Sequence, residues 1–134
     1  MATLRLEVVT PETIVVNEDV EMVLCPGTEG EFGVLPNHAS LLSALKLGEL
    51  TYRIPGKDCH LFISGGFVDV NNNICSVLAE SAEKAENIDQ ARAEAARKRA
   101  EERLASKRAE IDEVRAEAAL KRAMMRLNVA RRSL

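Results

Sequence analysis

The chain has 134 residues, of which 46% are hydrophobic and 29% charged, and its formal net charge is −3. This balance is typical of one globular domain or two small ones and excludes an intrinsically disordered chain. Only 3% of the residues are aromatic and tryptophan is absent, so bases of single-stranded nucleic acid have no surface to stack on. We therefore expect no nucleic-acid partner.

The first residues, MATLRLEVV, alternate in polarity and lack the apolar core of a signal peptide, so we expect the mature chain to begin near Met1. No apolar run approaches the ~20 residues of a membrane-spanning helix. Three cysteines at positions 25, 59 and 75 form no CxxC pair and leave an odd one over. Their number favours a reducing, cytosolic compartment over a disulfide framework.

Apolar residues in the first part of the chain recur with period two, which places alternate side chains on one buried face of a strand. Examples are Leu4, Leu6 and Val8, and then Val20, Met22 and Leu24. Turn residues separate the strands, and Pro55–Asp58 and Asn71–Asn73 predict hairpins. About eight to ten short strands with no helix between them predict an antiparallel sandwich or flattened barrel.

After Glu86 glycine and proline are absent and alanine is abundant, which predicts helices. Asn87 is the predicted N-cap, with Gln90 completing a capping box. The polar stretch SKRAEID, residues 106–112, predicts a chain reversal before a second helix from about Asp112. One long helix with a weak hinge fits the sequence as well.

Small residues predict the packing faces of these helices. They are Ala93, Ala96, Ala100 and Leu104 in the first helix, and Ala116, Leu120, Ala123, Leu127, Ala130 and Leu134 in the second. At about 25 cal/mol per Å² of buried apolar surface, alanine contributes little, so we expect an antiparallel hairpin of marginal stability.

Charge also changes near residue 86. Residues 1–86 carry five basic and thirteen acidic side chains, a net charge of −8, whereas residues 87–134 carry thirteen basic and eight acidic ones, a net charge of +5. We therefore predict two domains, 1–86 and 87–134, and expect the second to meet an acidic partner.

The stretch GEFGVLPNHASLL, residues 30–42, fits a phosphate cradle, a metal or catalytic site, or a docking surface. A phosphate loop needs Lys and Ser or Thr after its last glycine, but Val34 follows Gly33 here. His38 has no neighbour at metal-ligand spacing, and no GxSxG motif is present. The glycines and Pro36 instead predict a stiff exposed corner that presents Glu31 and His38, which suits docking.

Several motifs together resemble the epsilon subunit of the bacterial or chloroplast F-type ATP synthase. They are LEVVTPE, GEFGVLPNHA, ISGGFVDV and VLAESAE, followed by the alanine-rich basic helices. The resemblance covers essentially the whole chain and implies a ten-stranded antiparallel sandwich followed by an antiparallel two-helix hairpin. Ser40 stands where members of the family commonly have proline, and we expect this departure to loosen the end of the loop.

The resemblance also implies a non-catalytic rotor subunit in the central stalk, which links the gamma subunit to the c-ring. Glu31 and His38 would face the ring, at the cytoplasmic face of the cell membrane, and the chain would meet the membrane only through the ring. The helices would leave the hairpin and contact the catalytic alpha/beta hexamer, and so inhibit ATP hydrolysis. The residues implied in that contact are Arg115, Lys121, Arg122 and Arg126.

Residues 88–93, IDQARA, match the I/L-D-x-x-R-A pattern with which some bacterial members bind ATP. The resemblance implies no required cofactor, no metal and no catalytic residue; ATP would be a regulatory ligand that holds the hairpin closed. The implied ATP-binding set is Glu83, Ile88, Asp89, Arg92, Ala93, Arg99, Arg122 and Arg126. A simpler interpretation is that Asp89 serves the first helical turn and Arg92 makes surface pairs.

Two other classes of function stay open at this point. One is a small sandwich enzyme that uses His38, Cys59 and His60. The other is a small β-sandwich adaptor whose basic helical hairpin binds an acidic partner. Bound metal or turnover would indicate the enzyme, and a steep loss of affinity with salt would indicate an adaptor for nucleic acid.

Overall fold

The computed structural model describes residues 2–106 and 110–133. The chain divides into two compact units, Met1–Lys84 and Ala85–Leu134. In the described part of the chain, neither α-helix has an apolar stretch that could span a lipid bilayer.

The first unit consists of β-strands. They are β1 (Leu4–Val9), β2 (Ile14–Val20), β3 (Met22–Gly27), β4 (Gly30–Val34), β5 (Leu41–Leu45), β6 (Gly48–Ile54), β7 (Lys57–Ile63), β8 (Gly66–Asn71), β9 (Ile74–Ala79) and β10 (Ala82–Lys84). They form one sheet in the order β10-β7-β6-β3-β5-β8-β9-β1-β2, and β4 pairs with β3 beside this path. Strand β2 also contacts β6 and β10, so the sheet curls towards a barrel.

The predicted antiparallel sandwich of about ten strands is confirmed. Among the described strands, the pair β1–β9 is parallel and every other pair is antiparallel. The parallel pair joins the start of the unit to its last hairpin, and the sequence analysis did not predict it.

The core of the sandwich is aliphatic. Leu4, Leu6 and Val8 of β1 are buried, as the alternation predicts. They belong to one cluster with Leu50, Leu61, Ile63, Val68, Val70 and Val77 of β6 to β9. Burial of apolar surface on this face is the main stabilising contribution to the unit.

The predicted buried run of Val20, Met22 and Leu24 holds for Val20, which is in the core, and is wrong for Met22 and Leu24. Strand β2 ends at Val20 and β3 begins at Met22, so Glu21 lies between the two strands. This break shifts the alternation, because the side chains of a strand change faces with each residue. The core residues of β3 are Val23 and Cys25, whereas Met22 and Leu24 are half-buried.

Both predicted hairpins are confirmed. Strand β6 turns into β7 at Pro55–Gly56, and β8 turns into β9 at Asn72–Asn73. Asn72 and Asn73 have φ values of 51° and 63°. Positive φ at both central residues is the requirement of a type I′ turn.

The exposed corner is shorter than the predicted stretch from Gly30 to Leu42. Its first residues form β4, which pairs antiparallel with β3, and its last two begin β5. Only residues 35–40 are loop, and we call them the corner loop. Gly30 has the expected positive φ, 130°, whereas Gly33 is a strand residue opposite Leu24.

The second unit contains two α-helices, α1 (Gln90–Ala105) and α2 (Glu110–Ala130), and 3-10 turns at Ala85–Asn87 and Arg131–Ser133. The helices pack on each other, and the first 3-10 turn contacts both α2 and the second 3-10 turn. The hairpin is therefore antiparallel, as predicted, with α2 beginning at Glu110 rather than near Asp112. Residues 107–109 of the predicted reversal and hinge lie outside the described residues.

The predicted N-cap at Asn87 is wrong. Asn87 belongs to the 3-10 turn, which delays the start of the α-helix until Gln90. Asp89 is the N-cap, and its side chain accepts a hydrogen bond from the backbone N–H of Arg92 at 3.0 Å. A carboxylate at this position satisfies an otherwise unpaired N–H and interacts favourably with the helix dipole.

The small residues of the helical unit are buried, as the spacing predicts. Ala93, Ala100, Ala116, Ala123 and Ala130 are all at most 4% exposed. The remaining predicted members are half-buried, namely Ala96, Leu104, Leu120 and Leu127, and Leu134 lies outside the described residues. Val129 is fully buried although the heptad pattern does not select it.

We predict that Gly66→Ala lowers the free energy of unfolding by more than about 2 kcal/mol. Gly66 has a φ of 147°, and a Cβ there would collide with the backbone carbonyl of Leu78 on the paired strand. Gly56→Ala is the matched control, because Gly56 also has a positive φ, 76°, but faces open space. This control should lower the free energy of unfolding by only about 1–2 kcal/mol, as measured by chemical denaturation. Equal losses of stability in the two variants would show that the positive φ alone, without the collision, explains the effect of Gly66→Ala.

Candidate functional site

A row of outward-facing apolar side chains, three of them exposed and two half-buried, crosses five neighbouring strands of the sandwich. The pairing places Ala44 opposite Phe67 and Phe67 opposite Leu78. It also places Leu78 opposite Val9 and Val9 opposite Ile14. Phe67, Leu78 and Ile14 are 58%, 59% and 64% exposed. We call this row of five residues the apolar stripe.

An open cavity of about 430 Å³ lies along the stripe. Phe67, Leu78 and Val9 form its apolar wall, the turn at Thr10–Pro11 closes one side, and Glu80 also lines it. The cavity gives the stripe a concave part that can receive a large apolar side chain of a partner.

Acidic residues flank the stripe. The next outward row contains Asp69 of β8, opposite Ser76, and Glu7 of β1, also opposite Ser76. Glu80 lies beside the cavity on the other flank. Exposed apolar surface with a charged border is typical of a protein interface, and its complement would be apolar with basic neighbours.

The stripe was not predicted from the sequence. Its signal is present in β8 and β9, where both phases of the alternation contain apolar residues, as in GFVDV and ICSVLA. Such strands are apolar on the outward face as well as on the core face.

His38 lies in the corner loop. Its ring Nδ1 is 2.7 Å from the carbonyl oxygen of Ala39, and its backbone N–H donates to the carbonyl of Leu35 at 3.1 Å. A carbonyl only accepts, so Nδ1 carries a proton and donates to the Ala39 carbonyl. Glu31, the other predicted docking residue, is exposed on β4, opposite Pro26.

Three of the four basic residues predicted to contact the catalytic subunits share one face of α2. Arg115, Arg122 and Arg126 fall within about 40° of one another around the helix axis. Lys121 is rotated by about 100° from Arg122 and projects from another face. Arg126 is half-buried, whereas the other three are exposed.

The predicted nucleotide-binding residues of α1 have different environments. Arg92 and Arg99 are exposed and seven residues apart, hence on one face, about 10 Å apart along the helix. Within the described residues neither guanidinium forms a salt bridge or side-chain hydrogen bond. Ile88 and Ala93 are buried, and Asp89 is occupied as the N-cap.

The other members of the set come from β10 and α2. Glu83 is half-buried on β10, in the first unit. The antiparallel hairpin places the end of α2, with Arg126, beside the start of α1, and Arg122 lies one turn further along. The helical unit therefore brings arginines of both helices to one end of the hairpin.

The simpler interpretation of the IDQARA motif is half confirmed. Asp89 does serve the first helical turn, but the surface pairs belong to Arg97, which contacts Glu94 and Glu101. The hydrogen bond from Arg97 lowers the pKa of Glu94 below its ordinary value. Arg92 is left available for a ligand.

The residues of the enzyme hypothesis lie on different elements. His38 is in the corner loop, while Cys59 and His60 are on β7, where His60 Nδ1 is 3.1 Å from Thr51 Oγ1. A hydrogen bond to Cys75, together with burial, raises the pKa of the Cys25 thiol far above its usual range. In the described part of the chain, no group of three or more His, Cys, Asp or Glu residues is arranged to hold a metal ion.

Two family models match the chain. The model of the beta-sandwich domain of the ATP synthase delta/epsilon chain matches residues 3–85, and the model of its long alpha-helix domain matches residues 86–131. The chain belongs to the ATP synthase delta/epsilon chain family. The resemblance inferred from the sequence motifs is thereby confirmed.

Curated relatives are similar over most of their length. The ATP synthase epsilon chain of Pelotomaculum thermopropionicum is 56% identical over 105 residues, which are 78% of each chain. The epsilon chain of Dehalococcoides mccartyi is 50% identical over 107 residues, 80% of this chain and 76% of that one.

Solved structures show the same fold. A chain of the Euglena gracilis mitochondrial ATP synthase, from a structure of OSCP, F1 and c-ring, has a TM-score of 0.78 and 27% identity, covering 90% of this chain and 77% of that one. A chain from a structure of the central stalk and c-ring of the Tetrahymena thermophila mitochondrial ATP synthase has a TM-score of 0.61 at 13% identity. The match covers 94% of this chain and 95% of that one.

Proposed function

We infer that the chain is the epsilon-type rotor subunit of the central stalk of the ATP synthase. The observation that carries this function is the apolar stripe, an exposed surface that requires a partner. Family membership supports the role, since relatives at 50–56% identity are epsilon chains. The subunit is non-catalytic and transmits or blocks rotation at the cytoplasmic face of the membrane.

The stripe is the surface that we assign to the gamma subunit. Three large side chains are more than half exposed there, and leaving them in water costs about 25 cal/mol per Å² of apolar surface relative to burial. The acidic flank selects a partner segment in which basic residues surround an apolar anchor. Contact with gamma would fix the sandwich to the rotating shaft.

The corner loop and β4 form the surface that we assign to the c-ring. His38 presents an oriented imidazole and Glu31 an exposed carboxylate, and both suit hydrogen bonds to polar loops of the ring. The chain reaches the membrane only through this contact. The two surfaces together would couple ring and shaft.

The helical unit is the element that we assign to inhibition of ATP hydrolysis. Its buried face consists mostly of alanine, so little apolar area holds it closed. When extended along gamma, α2 would set Arg115, Arg122 and Arg126 against acidic segments of the alpha/beta hexamer. Rotation in the hydrolytic direction would then be blocked.

ATP is the regulatory ligand that we assign to the helical unit, and no cofactor is required. Arg92 and Arg99 would bind the phosphates, with Arg122 and Arg126 contributing from α2. Bridging both helices, the nucleotide would stabilise the closed hairpin by mass action and so relieve inhibition.

We predict that Phe67→Glu weakens binding of the full chain to a catalytic complex that contains gamma but lacks this chain, by at least about 30-fold. Binding would take the new carboxylate out of water and into an apolar contact, which costs binding free energy. Because Phe67 is 58% exposed, folding should change by no more than about 0.5 kcal/mol. Leu35→Glu is the control, since Leu35 is equally exposed but lies off the stripe. Unchanged affinity of the Phe67 variant would remove the stripe from the gamma interface.

We predict that Arg92→Ala and Arg99→Ala each weaken ATP binding by about tenfold or more, because each removes a charge-assisted hydrogen bond. Titration calorimetry on the full chain measures the effect. Arg97→Ala is the matched control, since Arg97 is paired within α1 and projects from another face. Equal losses for all three arginines would indicate a general charge effect rather than a site.

We predict that a chain ending after residue 86 still joins the stalk and supports proton-driven ATP synthesis, while ATP hydrolysis rises severalfold. Replacing Arg115, Arg122 and Arg126 by alanine in the full chain should raise hydrolysis similarly. Lys121→Ala, which changes another face of α2, should have little effect. Unchanged hydrolysis by an assembled truncated complex, in conditions where the intact complex is latent, would contradict the inhibitory role.

A further inference from the structure

One side chain outside the assigned surfaces connects three separate parts of the sandwich. Asn73, in the β8–β9 turn, accepts a hydrogen bond from the backbone N–H of Asn37 through Oδ1 at 2.8 Å. Its Nδ2 donates to the carbonyl of Thr3 at 2.9 Å, and its own carbonyl accepts from the N–H of Arg5 at 3.1 Å. The partners fix the amide orientation, since an N–H only donates and a carbonyl only accepts.

A second link joins the same turn to the corner loop. The hydroxyl of Ser40 donates to Oδ1 of Asn71 at 3.4 Å. The two links reach the loop at Asn37 and Ser40, one on each side of His38. Asn37 has a φ of 62°, so the loop turns in the left-handed region at the point where Asn73 holds it.

We propose that Asn73 is a positioning residue that orients His38 for its partner, with the Ser40–Asn71 bond as a weaker second restraint. The inference rests on the proposed docking role of the corner loop. Inside the loop, His38 is already bonded to Ala39 and Leu35. These bonds within the loop do not fix the loop on the sandwich. The hydrogen bond between Asn73 and the Asn37 N–H makes that attachment. Ser40, which we expected from the sequence to loosen the end of the loop, instead adds a hydrogen bond between the loop and Asn71.

Two substitutions at position 73 separate positioning from general turn stability. Asn73→Gly keeps the positive φ of the turn but removes both side-chain hydrogen bonds. Asn73→Asp keeps an acceptor for the Asn37 N–H, whereas its second carboxylate oxygen replaces the donor to Thr3 and is repelled by that carbonyl. Asn72→Gly is the control, because it changes the neighbouring turn residue and leaves both bonds of Asn73 in place.

The first readout is hydrogen exchange of the Asn37 amide in the full chain, followed by NMR. We expect Asn73→Gly to speed this exchange at least about fivefold, while Asn73→Asp and Asn72→Gly stay within about twofold of the unaltered chain. If Asn73→Gly leaves the exchange unchanged, or if Asn73→Asp speeds it as much as Asn73→Gly does, the positioning role is wrong.

The second readout is the dissociation constant of the full chain, assembled with gamma and the catalytic hexamer, for membranes containing the c-ring. Asn73→Gly should raise this constant at least about fivefold, whereas Asn73→Asp should leave it close to the value of the unaltered chain. His38→Ala is measured in parallel. If His38→Ala has no effect, the docking role of the loop fails, while the exchange readout still decides whether Asn73 holds the loop. If His38→Ala weakens binding and Asn73→Gly does not, the docking role stands and the inference about Asn73 is overturned.

Discussion

Burial of one face of the curled sheet determines where every exposed side chain of the sandwich lies. Because side chains alternate across a strand, burial of Leu6 and Val8 in β1 turns Val9 outward. The register with β9 and β2 then brings Val9 beside Leu78 and Ile14. A slip of one residue in any of these strands would put core residues on the surface and remove the stripe. The stripe therefore depends on the packing of the core, which aligns its side chains before any partner binds.

The two units are stabilised in different ways, one by long-range packing and the other mainly by local interactions. The sandwich has a large aliphatic core and long-range strand pairing, which hold its surfaces in fixed positions. The helices are stable locally, through abundant alanine, the Asp89 cap and the pairing of Arg97 with Glu94 and Glu101. Their packing face, in contrast, consists of small side chains that contribute little area. Such helices can separate and remain helical, and this property is what the proposed inhibitory role requires.

Features set by neighbouring residues could be predicted from the sequence, whereas features set by distant pairing could not. The alternation in β1, the turns at Pro55–Gly56 and Asn72–Asn73, and the alanine-rich helices are local signals, and the structure confirms them. The alternation through Val20, Met22 and Leu24 fails because the chain changes strand at Glu21. The parallel pair β1–β9 joins segments from opposite ends of the sandwich, so no local signal indicates it. The cap moved to Asp89 because a 3-10 turn precedes the helix. The glycines and Pro36 predicted a corner that presents Glu31 and His38, and the family resemblance added their proposed partner. The stripe, in contrast, can be recognised only from the register of five strands.

The most direct test of the central claim is hydroxyl-radical footprinting of the full chain, alone and bound to the gamma-containing catalytic complex. Phe67, Leu78 and Ile14 are more than half exposed and should label strongly in the free chain. We expect their labelling to fall several-fold on binding, while Leu35, equally exposed but off the stripe, keeps its labelling in the absence of the c-ring. Labelling of Phe67 and Leu78 that is the same in the bound and free chain would contradict the assignment of the stripe to gamma.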